Sequence, residues 1–395
     1  MLLNNSISEY QLEKQVNRSK GFRVGYDCIP LPDHFSGAAY YIFTLAEKLL
    51  SADREFSIAI ICRTCHEHLF KKMLKPGDLI IPVNIKNNVH QIFFYEFTLS
   101  NILIKHKIRL FHSTHYICPP PRPEYFLITT FHDMGFCLYP NFYSIEKRFY
   151  FSSMMRTFLK RSDIVLTVSF STADSVRKFF PVVNEKIQTV YPGTDHLEIR
   201  DNSFRMENLS DFPFFLAVNT LEKRKNTAFI IKVFNYLKEH FKLKHKLVIA
   251  GYPSNDFRIV NKELKQSVFN EDILIKHDVS EALLIQLYKQ ADCFLNASEY
   301  EGFGFTPIEA IRFGCPAFIY ENNVTSELFP DYPYLLKEMN VKYWAKFIYS
   351  EMLEDFSKFK RCENILDLTW DLSAEKIINC YEKLLFSEEK NLVQI

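Results

Sequence analysis

Glycine is scarce in this sequence, with ten residues in a chain of 395, whereas average usage is about 7%. A residue used so rarely is expected only where the backbone needs a positive φ or a close approach. Six of these glycines fall at expected turns between strands and helices: Gly37, Gly193, Gly251, Gly302, Gly304 and Gly314. Their positions therefore indicate where the chain turns.

Neither charge is in excess, and long apolar runs are missing. The 48 Lys and Arg residues balance 47 Asp and Glu residues, which argues against a nucleic-acid partner, because such binders usually carry a strong basic excess. No apolar run follows Met1, and no stretch reaches the ~20 apolar residues of a membrane span. Nine scattered cysteines, an odd number, favour a reducing compartment. We therefore expect a cytoplasmic protein, with peripheral contact at the inner face of a membrane left open.

The length of the chain and its hydrophobic content of 47% suit two domains with large cores. Residues 1–20 are polar and are expected to form a flexible arm, and the polar, aperiodic residues 196–210 are expected to link the domains. This division assigns residues 21–195 to the first domain, 211–372 to the second and 373–395 to a C-terminal helix.

The clearest local pattern is a strand, a glycine loop and a helix in succession. Residues 293–295 are an apolar strand, and residues 299–305 are the loop. Thr306 is expected to be the helix N-cap, with Pro307 at the first helical position and Gly314 at the helix end. Glycine amides and a helix N-terminus at the mouth of a β-α-β unit form a site for anions and sugar phosphates.

Two carboxylates, Glu301 and Glu309, bracket this helix start. Thr306 and Glu309 also have the spacing of a capping box, so a structural role competes with a ligand role for Glu309. Glu301 could be an ordinary solvated loop acid, but Glu299 already supplies charge there and the loop is aromatic. Both carboxylates are therefore candidate ligand-binding groups.

This stretch resembles the E-x7-E signature of the retaining GT-B glycosyltransferases, and of glycosyltransferase family 4 in particular. The family pattern is S-x-x-E-G-F-G-x-x-x-x-E-A-x-x-x-G-x-P. The residues that match it in register are Ser298, Glu301, Gly302, Phe303, Gly304, Glu309, Ala310, Gly314 and Pro316. The resemblance implies an α/β protein of the GT-B fold, with two Rossmann-like doubly wound domains that face each other across a cleft. It also implies that the last helix crosses back to the first domain.

A basic turn follows the apolar strand at residues 213–218. Lys223, Arg224 and Lys225 stand at the expected start of a helix, where the helix dipole would repel them. A bound diphosphate would explain them, and the alternative is a solvated basic turn on the surface. The turn resembles the family's V-G-T-L-E-x-R-K-N loop, with Asn219 in place of the glycine. Asn tolerates a left-handed φ better than most residues, so the turn is expected to survive.

In the first expected domain, Gly37 and His132 are the candidate site residues. His132 follows the strand at residues 126–131 and, with Asp133, resembles the family's H-D-L/M loop, whose His lies near the reaction centre. Gly37 resembles the family's glycine beside the donor phosphates. The alternatives are a His–Asp pair that only ties down a loop and a plain turn between strand and helix.

The resemblance also implies how these residues act. Arg224 and Lys225 would stabilise a leaving diphosphate. Glu301 would hold the donor sugar and Glu309 the ribose hydroxyls. The implied catalytic residues are His132, Arg224, Lys225 and Glu301. The implied donor-binding residues are Gly37, Arg224, Lys225, Glu301, Gly302, Phe303, Gly304, Phe305 and Glu309.

The chain contains no Asp-x-Asp motif, so we expect no metal and no cofactor other than a nucleotide-diphosphate sugar as co-substrate. The basic loop resembles that of mannosyltransferase-type members, which favours GDP-mannose as the donor, and a glycan or lipid-linked acceptor is expected. Two alternatives stay open, a glycosidase-like hydrolase and a non-catalytic glycan- or partner-binding relic of the fold. The basic pair argues against the hydrolase, because hydrolysis has no diphosphate to hold.

Overall fold

The structure is a computed structural model that describes residues 21–32, 37–140, 154–197, 212–253, 256–359 and 362–392. The expected arm at residues 1–20 and residues 198–210 of the expected linker lie outside these ranges. Packing divides the described chain into two compact units. The first unit runs to Cys137, resumes at residue 154 and ends at Gly193, and it also includes the chain from Trp370 onward. The second unit holds the chain from Thr194 to Thr369 and a short piece that begins at Leu138.

In the described part of the first unit, seven strands form one sheet in the order β3-β2-β1-β4-β5-β6-β7. All neighbouring strands are parallel. The strands are β1 (Arg23–Cys28), β2 (Ser57–Arg63), β3 (Leu79–Val83), β4 (Leu110–Ser113), β5 (Phe126–Phe131), β6 (Ile164–Thr167) and β7 (Ile187–Thr189). The strand order reverses at β1, and in doubly wound sheets ligands bind at the carboxyl ends of the strands beside such a reversal.

Helices connect these strands. They are α1 (Gly37–Ser51), α2 (Glu67–Phe70), α3 (Asn88–Phe97), α4 (Leu99–Lys105), α5 (Gly135–Leu138), α6 (residues 154–161) and α7 (Phe170–Phe179). In α1 the side chains of Tyr41, Leu45 and Leu49 are buried, as their helical spacing predicts. The apolar stripe of α1 thus packs into the core of the first unit and fixes the helix over the sheet.

The second unit has the same architecture around a sheet in the order β10-β9-β8-β11-β12-β13, parallel throughout its described strands. Its strands are β8 (Phe214–Val218), β9 (Lys246–Ala250), β10 (Ile273–Lys276), β11 (Cys293–Asn296), β12 (Ala317–Tyr320) and β13 (Leu335–Leu336). Its helices are α8 (Thr227–Phe241), α9 (Phe257–Gln266), α10 (Glu281–Gln290), α11 (Phe305–Arg312), α12 (Asn323–Leu328), α13 (Val341–Leu353) and α14 (Glu363–Leu366). Here the strand order reverses at β8, so the loops after β8 and β11 leave neighbouring strands at the same edge. The predicted α/β class with two Rossmann-like sheets is confirmed.

The last helix, α15 (Trp370–Leu392), belongs to the first unit and begins earlier than residue 373. The hydroxyl of Tyr381 on this helix lies 2.5 Å from Nδ1 of His112 on β4. A Cβ at Gly193 would lie 2.1 Å from the backbone nitrogen of Trp370, so only glycine fits there. Among the described helices, α15 included, none combines the length and apolar character needed to cross a bilayer.

Candidate active site

The glycine loop after β11 ends in a helix that starts earlier than the sequence predicts. Helix α11 begins at Phe305, and its N-cap is Gly304 with a left-handed φ of +88°. The predicted N-cap, Thr306, is therefore wrong, and Pro307 is the third helical residue and not the first. The reason is that Gly304 adopts at no steric cost a backbone conformation that side chains disfavour. Pro307 is tolerated because the first backbone N–H groups of a helix have no partner within it.

The helix ends where the sequence predicts. Gly314 has a φ of +85° directly after the C-cap residue Phe313. The N–H of Gly314 donates to the Ile311 carbonyl at 3.0 Å, and the N–H of Cys315 donates to the Ala310 carbonyl at 2.9 Å. These two bonds form a Schellman motif, which needs glycine at the left-handed position.

Glu309 is not part of a capping box, because Thr306 does not cap α11. Its carboxylate is buried and held by two other side chains. Oε1 lies 3.0 Å from Nε2 of His196, and Oε2 accepts a hydrogen bond of 2.7 Å from the hydroxyl of Tyr288 on α10. Since a carboxylate oxygen accepts hydrogen bonds, His196 is assigned as the donor through Nε2. Two donors therefore orient the carboxylate within the second unit.

The basic turn after β8 meets the glycine loop after β11. Lys223–Lys225 form one turn of 3₁₀ helix before α8. The Glu301 carboxylate pairs with the ammonium of Lys225 and with Nη1 of Arg224, the latter at 3.3 Å. Nη1 of Arg224 also donates to the Tyr300 carbonyl at 3.1 Å. Arg224, Lys225 and Glu301, which the sequence predicts as site residues, thus lie together.

The charges in this cluster nearly cancel. Besides its pairing with Glu301, Arg224 donates from Nε to the carboxylate of Glu222 at 2.8 Å. Burial lowers the pKa of Lys225, although Glu301 opposes the shift. Burial alone would raise the pKa of Glu301, but Lys225 and Arg224 outweigh it and leave that pKa below its usual value. Glu222 and Glu301 therefore balance the positive charge that the dipole of α8 would otherwise repel at this turn.

Asn219 does not adopt the left-handed conformation that its place in the loop predicts. The left-handed residue of this turn is Asn226, with a φ of +52°, at the N-cap of α8. Asn219 is buried, and its side-chain oxygen accepts a hydrogen bond of 2.9 Å from the hydroxyl of Thr227. The close backbone approach is instead at Gly251, where a Cβ would lie 1.8 Å from the Asn219 carbonyl oxygen. Glycine is therefore needed at position 251, on the turn after β9, and not at position 219.

In the first unit, His132 lies at the carboxyl end of β5. Its Nε2 donates to the carbonyl of Thr114 at 2.7 Å, and the ring of Tyr41 meets the imidazole edge-to-face with centroids 4.7 Å apart. Asp133 accepts from the N–H of Gly135 at 2.9 Å, so it ties down the loop by its own contact. Burial lowers the pKa of His132, which favours the neutral imidazole. Gly37, the other predicted residue of this unit, is the first residue of α1.

A buried hydrogen-bond chain behind His132 is absent from the sequence prediction. The Nε2 atom of His112 lies 2.7 Å from Oγ1 of Thr130, which lies 3.2 Å from the hydroxyl of Tyr41. Burial lowers the pKa of His112 to about 3, with a smaller contribution from His132. A neutral imidazole therefore joins Tyr381 to Thr130, and Tyr41 rests against His132 at the end of this chain.

His196 and Tyr288 are the two contacts of Glu309 that the sequence analysis missed. His196 is the first residue of the polar stretch 196–210 that the sequence assigned to the linker, so nothing marked it as a site residue. Tyr288 was not marked either, since it is an ordinary apolar position of an amphipathic helix. The described residues contain no group of three or more His, Cys, Asp or Glu side chains placed to hold a metal ion.

Two family models match the chain in succession. The model described as Glycosyltransferase Family 4 matches residues 35–197, and the model described as Glycosyl transferases group 1 matches residues 199–364. Together they cover the strands of both sheets except β1, which precedes residue 35, and the two candidate loops of the second unit.

The chain is also similar to named proteins. It is 28% identical over 330 residues to the O-antigen chain mannosyltransferase RfbU of Salmonella typhimurium, a match that covers 79% of this chain and 87% of that protein. It is 24% identical over 205 residues to the O-antigen chain mannosyltransferase B of Escherichia coli, which covers 50% of this chain and 53% of that protein. The solved sucrose-phosphate synthase of Thermosynechococcus elongatus matches with a TM-score of 0.70 at 15% identity, over 92% of this chain and 99% of that one. This last likeness concerns the fold.

Proposed function

The chain belongs to the group 1 and family 4 glycosyltransferases of the GT-B fold, and from that membership we propose a specific reaction for it. It transfers a hexose from a nucleotide-diphosphate sugar to a glycan or lipid-linked acceptor, and the anomeric configuration is retained. That the protein is an enzyme that transfers a sugar follows from its family. The donor, the acceptor and the stereochemistry are the proposal.

The contact between Arg224, Lys225 and Glu301 carries this proposal. When the glycosidic bond of the donor breaks, negative charge develops on the leaving diphosphate. Arg224 and Lys225 stand at a helix start, where backbone N–H groups also favour an anion. Cations already held in place stabilise that charge without reorganisation in the transition state. Glu301 holds both cations in position and, in this proposal, also accepts hydrogen bonds from the hydroxyls of the donor sugar.

Glu309 is proposed to bind the ribose of the nucleotide. An ionised carboxylate offers about four lone-pair positions, and His196 and Tyr288 occupy two of them. The other positions can accept the two ribose hydroxyls, each bond being worth about 1.5–3 kcal/mol because one partner is charged. In the first unit, His132 and Gly37 are proposed to serve the same reaction.

The donor is proposed to be GDP-mannose. The support is that the relatives from Salmonella typhimurium and Escherichia coli are both named mannosyltransferases. Both names also refer to an O-antigen chain, which supports a glycan acceptor. A lipid-linked form of that acceptor and peripheral contact with a membrane are part of the proposal. Transfer is proposed to need no metal, because two cationic side chains can take over the charge of the diphosphate and the sequence has no Asp-x-Asp motif.

A donor panel tests this function. The protein is mixed with GDP-mannose, UDP-glucose and UDP-N-acetylglucosamine in excess chelator, and the release of nucleoside diphosphate is followed. The expected result is release of GDP from GDP-mannose, unchanged when Mg²⁺ is added. Release only from a UDP-sugar would overturn the choice of donor, and activity that needs Mg²⁺ or Mn²⁺ would overturn metal independence. Binding of glycans without any nucleotide release would indicate the non-catalytic alternative.

A further inference from the structure

An apolar stripe runs along the outer face of α3 in the first unit. Val89, Phe93 and Phe97 are exposed by 62%, 57% and 68%, and their spacing of four residues places them on one side of the helix. The rings of Phe93 and Phe97 stack with centroids 5.9 Å apart. The opposite side of the helix, with Phe94 and Tyr95, is buried in the core. The buried side therefore anchors the helix by itself. Val89, Phe93 and Phe97 on the exposed side are called the α3 stripe.

The α3 stripe exposes several apolar side chains on one side of a helix. Single exposed apolar side chains are common on proteins, whereas contiguous ones mark an interaction surface. Ile104 on the next helix, α4, is a further apolar residue exposed by 38%. The surface around α3 and α4 therefore offers aromatic and aliphatic groups to a partner.

The chain segment that carries the α3 stripe is basic. Between residues 84 and 109 the chain has four Lys or Arg residues and one acid, Glu96, although the whole chain carries only +1. Glu96 is engaged by Arg161, whose two terminal nitrogens each donate to it at 2.8 Å. The lysines at positions 86, 105 and 107 are exposed. An apolar helix face flanked by lysines fits an interface between water and anionic lipid.

We propose that the α3 stripe docks on an anionic lipid bilayer, with α3 lying in the plane of the interface. The two phenylalanine rings enter the boundary between headgroups and acyl chains, and the lysines meet the lipid phosphates. The use of this contact, delivery of the site to a lipid-linked acceptor, rests on the proposed function, whereas the surface itself does not. A second copy of the chain is a poorer occupant, because a two-fold contact of identical surfaces would set these lysines against one another.

Flotation of the full chain with phosphatidylcholine vesicles, with and without phosphatidylglycerol, tests the proposal. The wild type is expected to float with the phosphatidylglycerol vesicles and to lose much of this binding at high salt. The double variant F93S/F97S is expected to bind these vesicles at least about 10-fold more weakly, because it buries two fewer apolar side chains in the bilayer. A matched control is V182S/L353S, which alters two apolar side chains exposed by 57% and 71% elsewhere. The control should bind like the wild type.

Two results would overturn the proposal. One is equal vesicle binding by F93S/F97S and the wild type at equal thermal stability. The other is a concentration-dependent dimer that F93S/F97S abolishes while no form of the protein floats, which would make a second copy the occupant. The affinity for GDP distinguishes a failure of this proposal from a failure of the proposed function. If the protein binds GDP but not the vesicles, only the membrane-docking proposal is contradicted. Vesicle binding without nucleotide binding contradicts only the proposed function.

Discussion

The imidazole of His196 and the carboxylate of Glu309 form a buried pair, with Nε2 of the ring 3.0 Å from Oε1 of the acid. Their side chains are 1% and 6% exposed. Tyr288 holds the other carboxylate oxygen at 2.7 Å. Because both oxygens are already oriented, less side-chain freedom would be lost in the ribose contact proposed for Glu309. This preorganisation is the basis of the first two predictions.

Glu309→Gln is expected to weaken the affinity for GDP by about 10-fold or more, because at least one charged hydrogen bond to the ribose is lost. The melting temperature should stay near that of the wild type, since glutamine keeps the shape of the side chain and can still bond to Tyr288. Calorimetric titration with GDP and a thermal melt measure the two effects. A near-native affinity together with a near-native melt would leave Glu309 a structural residue.

His196→Leu is expected to reduce the preference for ribose over deoxyribose. The measured quantity is the ratio of the Kd for 2′-deoxy-GDP to the Kd for GDP, which should fall by about 3- to 10-fold when the hydrogen bond that orients Glu309 is lost. His196→Gln should restore the ratio, because its amide can donate to the same oxygen.

The control for His196 is His245→Leu, which breaks another His–carboxylate pair of the second unit, with Asp292 at 3.2 Å. This variant should keep the wild-type ratio. If Glu309→Gln lowers the ratio and His196→Leu does not, Glu309 binds ribose without any need for His196. A ratio near one in the wild type would contradict the ribose role of Glu309 itself.

Asp27, at the end of β1, is expected to make the stability of the protein fall as the pH rises. Burial raises the pKa of its carboxyl to about 7, although hydrogen bonds from Tyr95, Ile29 and Ser113 oppose the shift. The folded state therefore keeps a proton that the unfolded chain releases near pH 4. Between about pH 4 and pH 7 the unfolded state binds fewer protons, so this group's contribution to stability decreases with rising pH and is constant above that range.

Asp27→Asn removes this titration. The difference in unfolding free energy between the variant and the wild type, measured in urea at several pH values, should shift in favour of the variant as the pH rises from about 4 to about 7. A difference that is independent of pH would contradict the raised pKa of Asp27.

Strands with a continuous apolar run could be predicted from the sequence, but the edge strands β3 and β13 could not. The strands β8, β9 and β11 carry runs of buried apolar residues, which are the strongest sequence signal. β3 and β13 each lie at the edge of a sheet. β3 contains an exposed proline at position 82, and β13 has only two residues. Such strands are partly solvated and have no continuous apolar run.

The site residues were predictable where a local motif carried them. Arg224, Lys225 and Glu301 stand in loops whose sequences match a pattern, and the structure brings them together. The pair of His196 and Glu309 joins residues 113 positions apart, and no local spacing encodes such a contact. The start of α11 was misplaced because the left-handed φ of Gly304 depends on the whole loop and not on the capping preference of Thr306.

The turnover of Arg224→Ala tests whether this guanidinium stabilises the leaving diphosphate. Release of GDP from GDP-mannose by the wild type is compared with release by Arg224→Ala and by Lys223→Ala, which removes an exposed lysine from the same turn. Loss of a group that stabilises the leaving diphosphate should lower kcat by about 10²–10³ in Arg224→Ala, while Lys223→Ala stays close to the wild type. Release at the wild-type rate by a folded Arg224→Ala would show that Arg224 does not stabilise the leaving diphosphate.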